Sequence, residues 1–158
     1  MTLVILGTQD KEFTRLLKMV ESQVKKGNLK DVIVQAGQTV YESKYMRVFD
    51  FIPMTKFNKL IKEADLVITH GGVGSIITAL KNKKKVIAIP RLSKYKEHEN
   101  DHQLQIVEEF TKLGYILSCK NERELENCIK KIKDFKPKEY RSNNNKMVKL
   151  IENYIDNL

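Results

Sequence analysis

The sequence predicts an α/β domain, a parallel sheet of about six strands with helices on both faces. Three observations carry that expectation. Short, strand-like apolar runs recur along the chain and alternate with segments of helical periodicity. The runs are continuously apolar rather than alternating apolar with polar, as in strands covered on both sides. A glycine cluster follows one of these runs directly and leads into the next helical segment. At 158 residues the chain suits one domain with a sizeable core.

The elements follow in order. The first run, Leu3–Leu6, stops at Gly7-Thr8. Phe13, Leu16, Leu17, Val20 and Val24 then repeat at the spacing of one helix face. Val32–Val34 and Met46–Phe49 read as the second and third strands, and Phe57, Leu60, Ile61 and Ala64 mark a second helix. Leu66–Ile68 is the fourth strand, with Ile76-Ile77-Thr78-Ala79-Leu80 helical beyond the glycines. Val86–Ile89 is the fifth, and a weaker helical set, Leu104, Val107, Phe110 and Thr111, separates it from the sixth at Tyr115–Leu117. Asn121 with Glu124 three residues on is a helix start with a capping box, continued by Leu125, Ile129 and Ile132. Pro137 closes the domain proper, residues 1–136. Residues 137–158 are expected to form a C-terminal amphipathic helix of the same domain, with a stripe of Met147, Leu150, Ile151, Tyr154, Ile155 and Leu158 docked on it. There is no internal repeat.

Composition narrows the function. Hydrophobic residues make up 41% and charged residues 31%, which excludes wholesale disorder. No run reaches the roughly 18 apolar residues of a spanning helix. The apolar N-terminal run lacks a basic lead and stops at a glycine, so it reads as a strand and not a signal peptide; the expected compartment is cytoplasmic. Cys119 and Cys128 form no C-x-x-C pair and are expected as reduced thiols. Lys and Arg outnumber Asp and Glu by 29 to 20. That excess suits an anionic membrane leaflet or a phosphorylated ligand, or simply a solvated surface with Lys83-Lys84-Lys85 at a helix end. No nucleic-acid-binding signature is present and Trp is absent, so nucleic acid is not an expected partner.

The most informative segment is Thr69-His70-Gly71-Gly72-Val73-Gly74-Ser75, where an apolar strand runs into three glycines and a serine before a helix. Glycine permits close backbone approach to a ligand, and the free N–H groups at the following helix start attract phosphate. Ser75 adds a hydroxyl. The segment lacks the GK[ST] of a Walker A loop, and Ile77 stands where a dinucleotide fingerprint has its third glycine. A strand order of 3-2-1-4-5-6 would bring Gly7-Thr8 and His70-Gly71-Gly72 to one crevice, at the carboxyl ends of neighbouring strands one and four.

From Ala64 to Gln103 the chain resembles the donor-binding half of UDP-sugar glycosyltransferases of the two-domain GT-B architecture. Three elements occur in the order found there: His70-Gly71-Gly72-Val73-Gly74-Ser75, then Ile89-Pro90-Arg91, then His98-Glu99-Asn100-Asp101-His102-Gln103. The order is similar to the C-terminal domain of glycosyltransferase family 28, as in the lipid II-forming N-acetylglucosaminyltransferase, and to the catalytic subunit of the dolichol-linked N-acetylglucosaminyltransferase. It is most similar to small soluble subunits of split bacterial enzymes of capsule and exopolysaccharide synthesis. The resemblance implies a single Rossmann-like domain, the C-terminal half of a GT-B fold. It also implies transfer of a hexose from a UDP-sugar to a polyprenyl-diphosphate-linked acceptor.

The resemblance assigns roles by position. Ser75 and the backbone of Gly71, Gly72, Val73 and Gly74 form the diphosphate cradle. Gln103, with Asn100 nearby, binds donor hydroxyls, an amide being able to donate and accept. Phe51 and Ile52 hold the uracil, and Gly7-Thr8 and Gly37-Gln38 line the crevice. Arg91 and Lys94 neutralise the leaving diphosphate, so no tightly bound metal or other cofactor is expected. Thr78 stands where relatives carry a ribose-binding glutamate, a weaker contact. The acceptor site and the general base are expected on a membrane-anchored partner subunit, which would hold this chain at the inner membrane face. His70 is the candidate catalytic group on this chain. A non-catalytic nucleotide-binding accessory is the alternative. The same residues also match H-E-x-x-H at His98, Glu99 and His102, a zinc-hydrolase pattern, in a charged context without an evident third ligand.

Overall fold

A computed structural model describes residues 1–141 and 149. Six parallel strands form one sheet in the order β3-β2-β1-β4-β5-β6. The elements are β1 (Thr2–Ile5), α1 (Thr14–Lys25), β2 (Val32–Gln35), β3 (Arg47–Phe49), α2 (Met54–Glu63), β4 (Leu66–His70), α3 (Val73–Lys81), β5 (Lys85–Ile89), a 3-10 turn at Ser93–Tyr95, α4 (His102–Lys112), β6 (Leu117–Ser118) and α5 (Glu122–Ile132). The order reverses between β1 and β4, which pair in register from Thr2 opposite Leu66 to Ile5 opposite Thr69.

Alternation along the strands sends side chains to two cores. On one face Val4, Leu6, Val34 and Ile68 pack with Leu16, Leu17 and Val20 of α1 and with Leu125, Ile129 and Ile132 of α5. On the other Leu3, Ile5, Val67 and Ala88 meet Leu60 and Ile61 of α2, Ile76 and Ala79 of α3, and Ile106, Val107 and Phe110 of α4. Each fully buried Leu, Ile or Val contributes about 1.5–3 kcal/mol relative to exposure. Burial on both faces is why the strands read as continuous apolar runs.

The structure differs from the sequence expectation at three places. Helix α3 starts at Val73, not Ile76, so Val73, Gly74 and Ser75 are its first turn rather than a loop. Sheet pairing at β6 is confined to Leu117–Ser118; Tyr115 and Ile116 are buried by packing, outside the ladder. The stretch after Pro137 takes no regular structure through residue 141, and the expected stripe from Met147 to Leu158 lies outside the described residues. The α5 cap is present: Asn121 Oδ1 accepts from the Glu124 N–H at 2.9 Å. Cys119 and Cys128 are buried free thiols.

Candidate functional site

The carboxyl ends of β1 and β4 open into a crevice of about 440 Å³. Its walls are Ile5, Gly7, Thr8 and Gln9 after β1, Gln35 at the end of β2, and Ile52, Met54 and Phe57 around the start of α2. Its floor and far wall are His70, Gly72, Val73, Gly74, Ser75 and Thr78. A second hollow of about 460 Å³ lies at the opposite end of the sheet, among Leu80, Lys81, Lys83, Lys84, Pro137, Lys138, Glu139 and Tyr140. It gathers cations, and its described lining contains no helix start and no glycine. The switch-point crevice is therefore the candidate site.

The chemistry of the crevice begins at α3. Its first intrahelical bond runs from the Ile76 N–H to the Gly72 carbonyl at 3.1 Å. The N–H groups of Val73, Gly74 and Ser75 precede it and meet no helical carbonyl. Together with the helix dipole they form an anion site, and the Ser75 hydroxyl lies in the same turn.

His70 supports that turn from below. Its ring lies between two glycines: a Cβ built on Gly7 or on Gly72 would overlap the imidazole. Gly7 also has φ +76, so the position demands glycine on both counts. The ring is 5% exposed. Burial, and next the charge of Arg91, push the imidazole down to about 3, so it is neutral at physiological pH. Its Nε2 is 3.2 Å from Ser75 Oγ and its Nδ1 is 3.1 Å from Gln103 Nε2.

Two residues expected to contact the donor are buried outside the crevice walls instead. Gln103 is 1% exposed, on the first turn of α4. Its Oε1 accepts from the Gly71 N–H at 2.9 Å and from the Arg91 N–H at 3.1 Å. It ties the glycine turn to the strand exit beside it, rather than presenting its amide to donor hydroxyls. Arg91 is likewise 1% exposed. Its guanidinium donates to the carbonyls of Lys11 at 2.6 Å, Glu97 at 3.1 Å and Leu6 at 2.9 Å, and stacks 5.0 Å from the Phe13 ring centroid. Buried Glu97 pairs in two-pronged fashion with Arg15, at 2.9 and 3.0 Å, and accepts from the Leu92 N–H. Arg91 thus pins the loop after β1; its one unpartnered donor, Nε, is buried, so no donor faces the crevice. Sequence reasoning read its charge as ligand-directed because motif order shows proximity to the crevice, not which way a side chain turns.

Of the other expected site residues, Gly7, Thr8, Ile52, Gly72, Val73, Gly74, Ser75 and Thr78 do line the crevice. Thr78 donates its hydroxyl proton to the Gly74 carbonyl at 2.8 Å, leaving its oxygen as an acceptor. Gly71 is buried behind the turn. Phe51 and Gln38 are exposed and outside the crevice walls. Gly37 shapes the rim: at φ +59, a Cβ there would strike the Gly7 carbonyl. Asn100 sets up α4, accepting from the His102 N–H at 3.0 Å, and Lys94 lies over Tyr95. The zinc pattern fails on geometry. Helix α4 begins at His102, so His98 and Glu99 precede it and the i, i+4 argument does not apply. No group of three or more His, Cys, Asp or Glu among the described residues is placed to hold a metal ion.

Ile5, Gln9, Gln35, Met54 and Phe57 were not anticipated. Ile5 and Gln35 are paired residues at the ends of β1 and β2, so the strand-end rule that located Gly7 could have found them. Gln35 lines the crevice wall, and its Oε1 is buried without a hydrogen-bond partner in the structure.

A parallel sheet with a glycine-lined helix start at its switch point defines a Rossmann-like α/β protein, a class whose ligands sit at that crevice. Residues 1–157 match the glycosyltransferase family 28 C-terminal domain, and the chain belongs to that family. It is 36% identical over 85 residues to UDP-N-acetylglucosamine transferase subunit ALG13 of Saccharomyces cerevisiae, covering 53% of this chain and 40% of that protein. It is 30% identical over 141 residues to the protein of the same name from Debaryomyces hansenii, covering 80% and 64%. The match therefore spans less than two thirds of either relative. An NMR structure of ALG13 superposes with a TM-score of 0.62 at 22% identity, covering 95% of this chain and 93% of that one. The UDP-GlcNAc 2-epimerase of Methanocaldococcus jannaschii, solved with UDP-GlcNAc and UDP, gives 0.61 at 15% identity, covering 97% and 45%. At these identities the structural likeness concerns the fold. Among the described residues no helix is long and apolar enough to cross a membrane.

Proposed function

We propose that this chain is the donor-binding part of a two-component glycosyltransferase that uses a UDP-sugar. The observation that carries the reading is the α3 start: three unpaired N–H groups and the Ser75 hydroxyl, at the switch-point crevice. In the reaction an acceptor hydroxyl attacks the anomeric carbon. The bond from that carbon to the diphosphate oxygen breaks, and its electron pair leaves with UDP. Negative charge grows on the diphosphate, where the α3 amides and dipole stabilise it without a resident metal. Gln35, on the crevice wall, offers its side-chain amide to the edge of the uracil, and Ile52 and Phe57 offer apolar cover for the ring.

His70 is not the general base in this reading. Both ring nitrogens are engaged and the ring is buried and neutral. The base and the acceptor site belong to a membrane-anchored partner subunit, which recruits this chain to the cytoplasmic face. Exposed Phe49, Phe51 and Met54 beside the crevice mouth offer an apolar surface for such a partner. The name of the yeast relatives makes UDP-N-acetylglucosamine the first hexosyl donor to test. The acceptor is a polyprenyl-diphosphate-linked sugar of surface-polysaccharide synthesis, a reading that rests on the motif order of the split enzymes.

The test is transfer of label from UDP-sugars into the lipid fraction by membranes lacking this chain, supplemented with wild-type or Ser75→Ala protein. The wild type is expected to restore transfer and Ser75→Ala to lose it by at least tenfold. Full transfer with Ser75→Ala would favour a nucleotide-binding accessory that only activates its partner.

A further inference from the structure

We propose that Gln103 is a positioning residue: it fixes which nitrogen of His70 carries the proton, and so turns the Ser75 hydroxyl hydrogen toward the ligand. The inference rests on the UDP-binding reading for its last step and on this chain's geometry for the rest.

The chain of hydrogen bonds allows one polarity. The N–H groups of Gly71 and Arg91 are main-chain donors and converge on one oxygen of the Gln103 amide, at 2.9 and 3.1 Å. That atom must be Oε1, so the amide's other end is the NH2 group. The NH2 group faces His70 Nδ1 at 3.1 Å and can only donate to it. Nδ1 is therefore bare, and in a neutral imidazole the proton sits on Nε2. Nε2–H then donates to Ser75 Oγ at 3.2 Å. A hydroxyl oxygen occupied as acceptor on that side keeps its own hydrogen free for another acceptor, and Ser75 lines the crevice. The hydrogen is then available to an anion at the α3 start. With the opposite tautomer, Nε2 would accept the hydroxyl hydrogen and hold it away from the ligand.

The surroundings keep the device in one state. His70 is deeply buried, and the charged and titratable groups acting on its ring are Arg91 and His98, both of which oppose a second proton. Gln103 is itself 1% exposed, so water does not compete for its amide.

The test is long-range 1H–15N correlation NMR on the intact chain, with UDP affinity measured by calorimetry from pH 6 to 8. In the wild type the His70 proton is expected on Nε2 throughout. In Gln103→Glu one carboxylate oxygen keeps the two main-chain donors, while the other lacks a proton to give. The ring proton is then expected on Nδ1 at pH 8, with UDP affinity at least tenfold below wild type. The deficit should shrink at lower pH as the ring gains a second proton on Nε2, giving the ratio of variant to wild type a pH dependence that a packing defect would not produce. A wild-type proton on Nδ1 would overturn the proposal, and that measurement needs no variant to fold. Unchanged UDP affinity in a Gln103→Glu protein whose proton has moved would also overturn it. Failure of the wild type to bind UDP would instead count against the UDP reading and leave the tautomer assignment standing or falling by its own spectrum.

Discussion

Arg91 donates from Nη2 to the Leu6 carbonyl at 2.9 Å, joining the exit of β5 to the exit of β1 inside the protein. The cation therefore serves the walls of the crevice. Removing it leaves three buried carbonyls without their donor, at about 1–3 kcal/mol for each that finds no other partner. Arg91→Leu is expected to lower the unfolding free energy by that order in urea denaturation, with Arg91→Lys intermediate. Wild-type stability combined with lost UDP affinity would return Arg91 to the ligand.

His70 gives stability a pH dependence. The folded ring stays neutral to about 3, while in the unfolded chain it takes a proton near 6.5. The unfolded state therefore binds more protons, and stability falls as pH drops from about 6.5 toward 3, by about 1.4 kcal/mol per pH unit at most. His98, also pushed down by burial, adds in the same direction. Asp65, Asp101 and Glu122 are pushed down by their partners, so their contributions are lost only at lower pH. Between pH 6.5 and 5, denaturation curves of His70→Gln are expected to show a clearly flatter slope than wild type. An equal slope would mean that the ring is not held neutral.

The glycines of the turn separate shape from binding. A Cβ on Gly72 would collide with the His70 ring, and Gly72→Ala is expected to destabilise the fold. A Cβ on Gly74 meets nothing within 4 Å. Gly74→Ala in the first turn of α3 should fold as well as wild type, or better by up to about 1 kcal/mol. Its methyl group would occupy space at the diphosphate cradle and weaken UDP at least tenfold. Thermal melts and calorimetric titration on one preparation separate the two effects. Unchanged UDP affinity would remove the ligand from this turn.

Gln35 carries a buried acceptor that the protein itself leaves unpaired. Gln35→Met, of similar length, is expected to be neutral or mildly stabilising. It should reduce UDP affinity about tenfold and narrow the preference for UDP over ADP. Retained selectivity would place base recognition elsewhere in the crevice.

The fold was legible because its signals are local. Continuous apolar runs marked β1, β2, β4 and β5, and Asn121 with Glu124 marked a helix start that the structure caps as expected. The run at β3 was broken by Arg47, and the run at β6 met the ladder only at Leu117. Strand order put Gly7 and His70 at one crevice, where they lie. Side-chain direction was not legible. Gln103 and Arg91 sit at family motif positions, yet both turn inward, because the main-chain donors of Gly71 and Arg91 and the carbonyls of Leu6 and Lys11 require buried partners. Such a requirement arises only when distant strand ends meet. The α3 start was placed three residues late for a related reason. Gly74 scores poorly as a helix former, but the position is set by the chain leaving β4 at the switch point.

The most direct measurement is calorimetric titration with UDP, ADP and GDP, on the isolated chain and on the chain assembled with the membrane subunit proposed above. Saturable binding selective for UDP, weakened at least tenfold by Ser75→Ala, is the expected result. Absence of UDP binding in both preparations, or equal binding of the three nucleotides, would contradict the assignment of this crevice to a UDP-sugar.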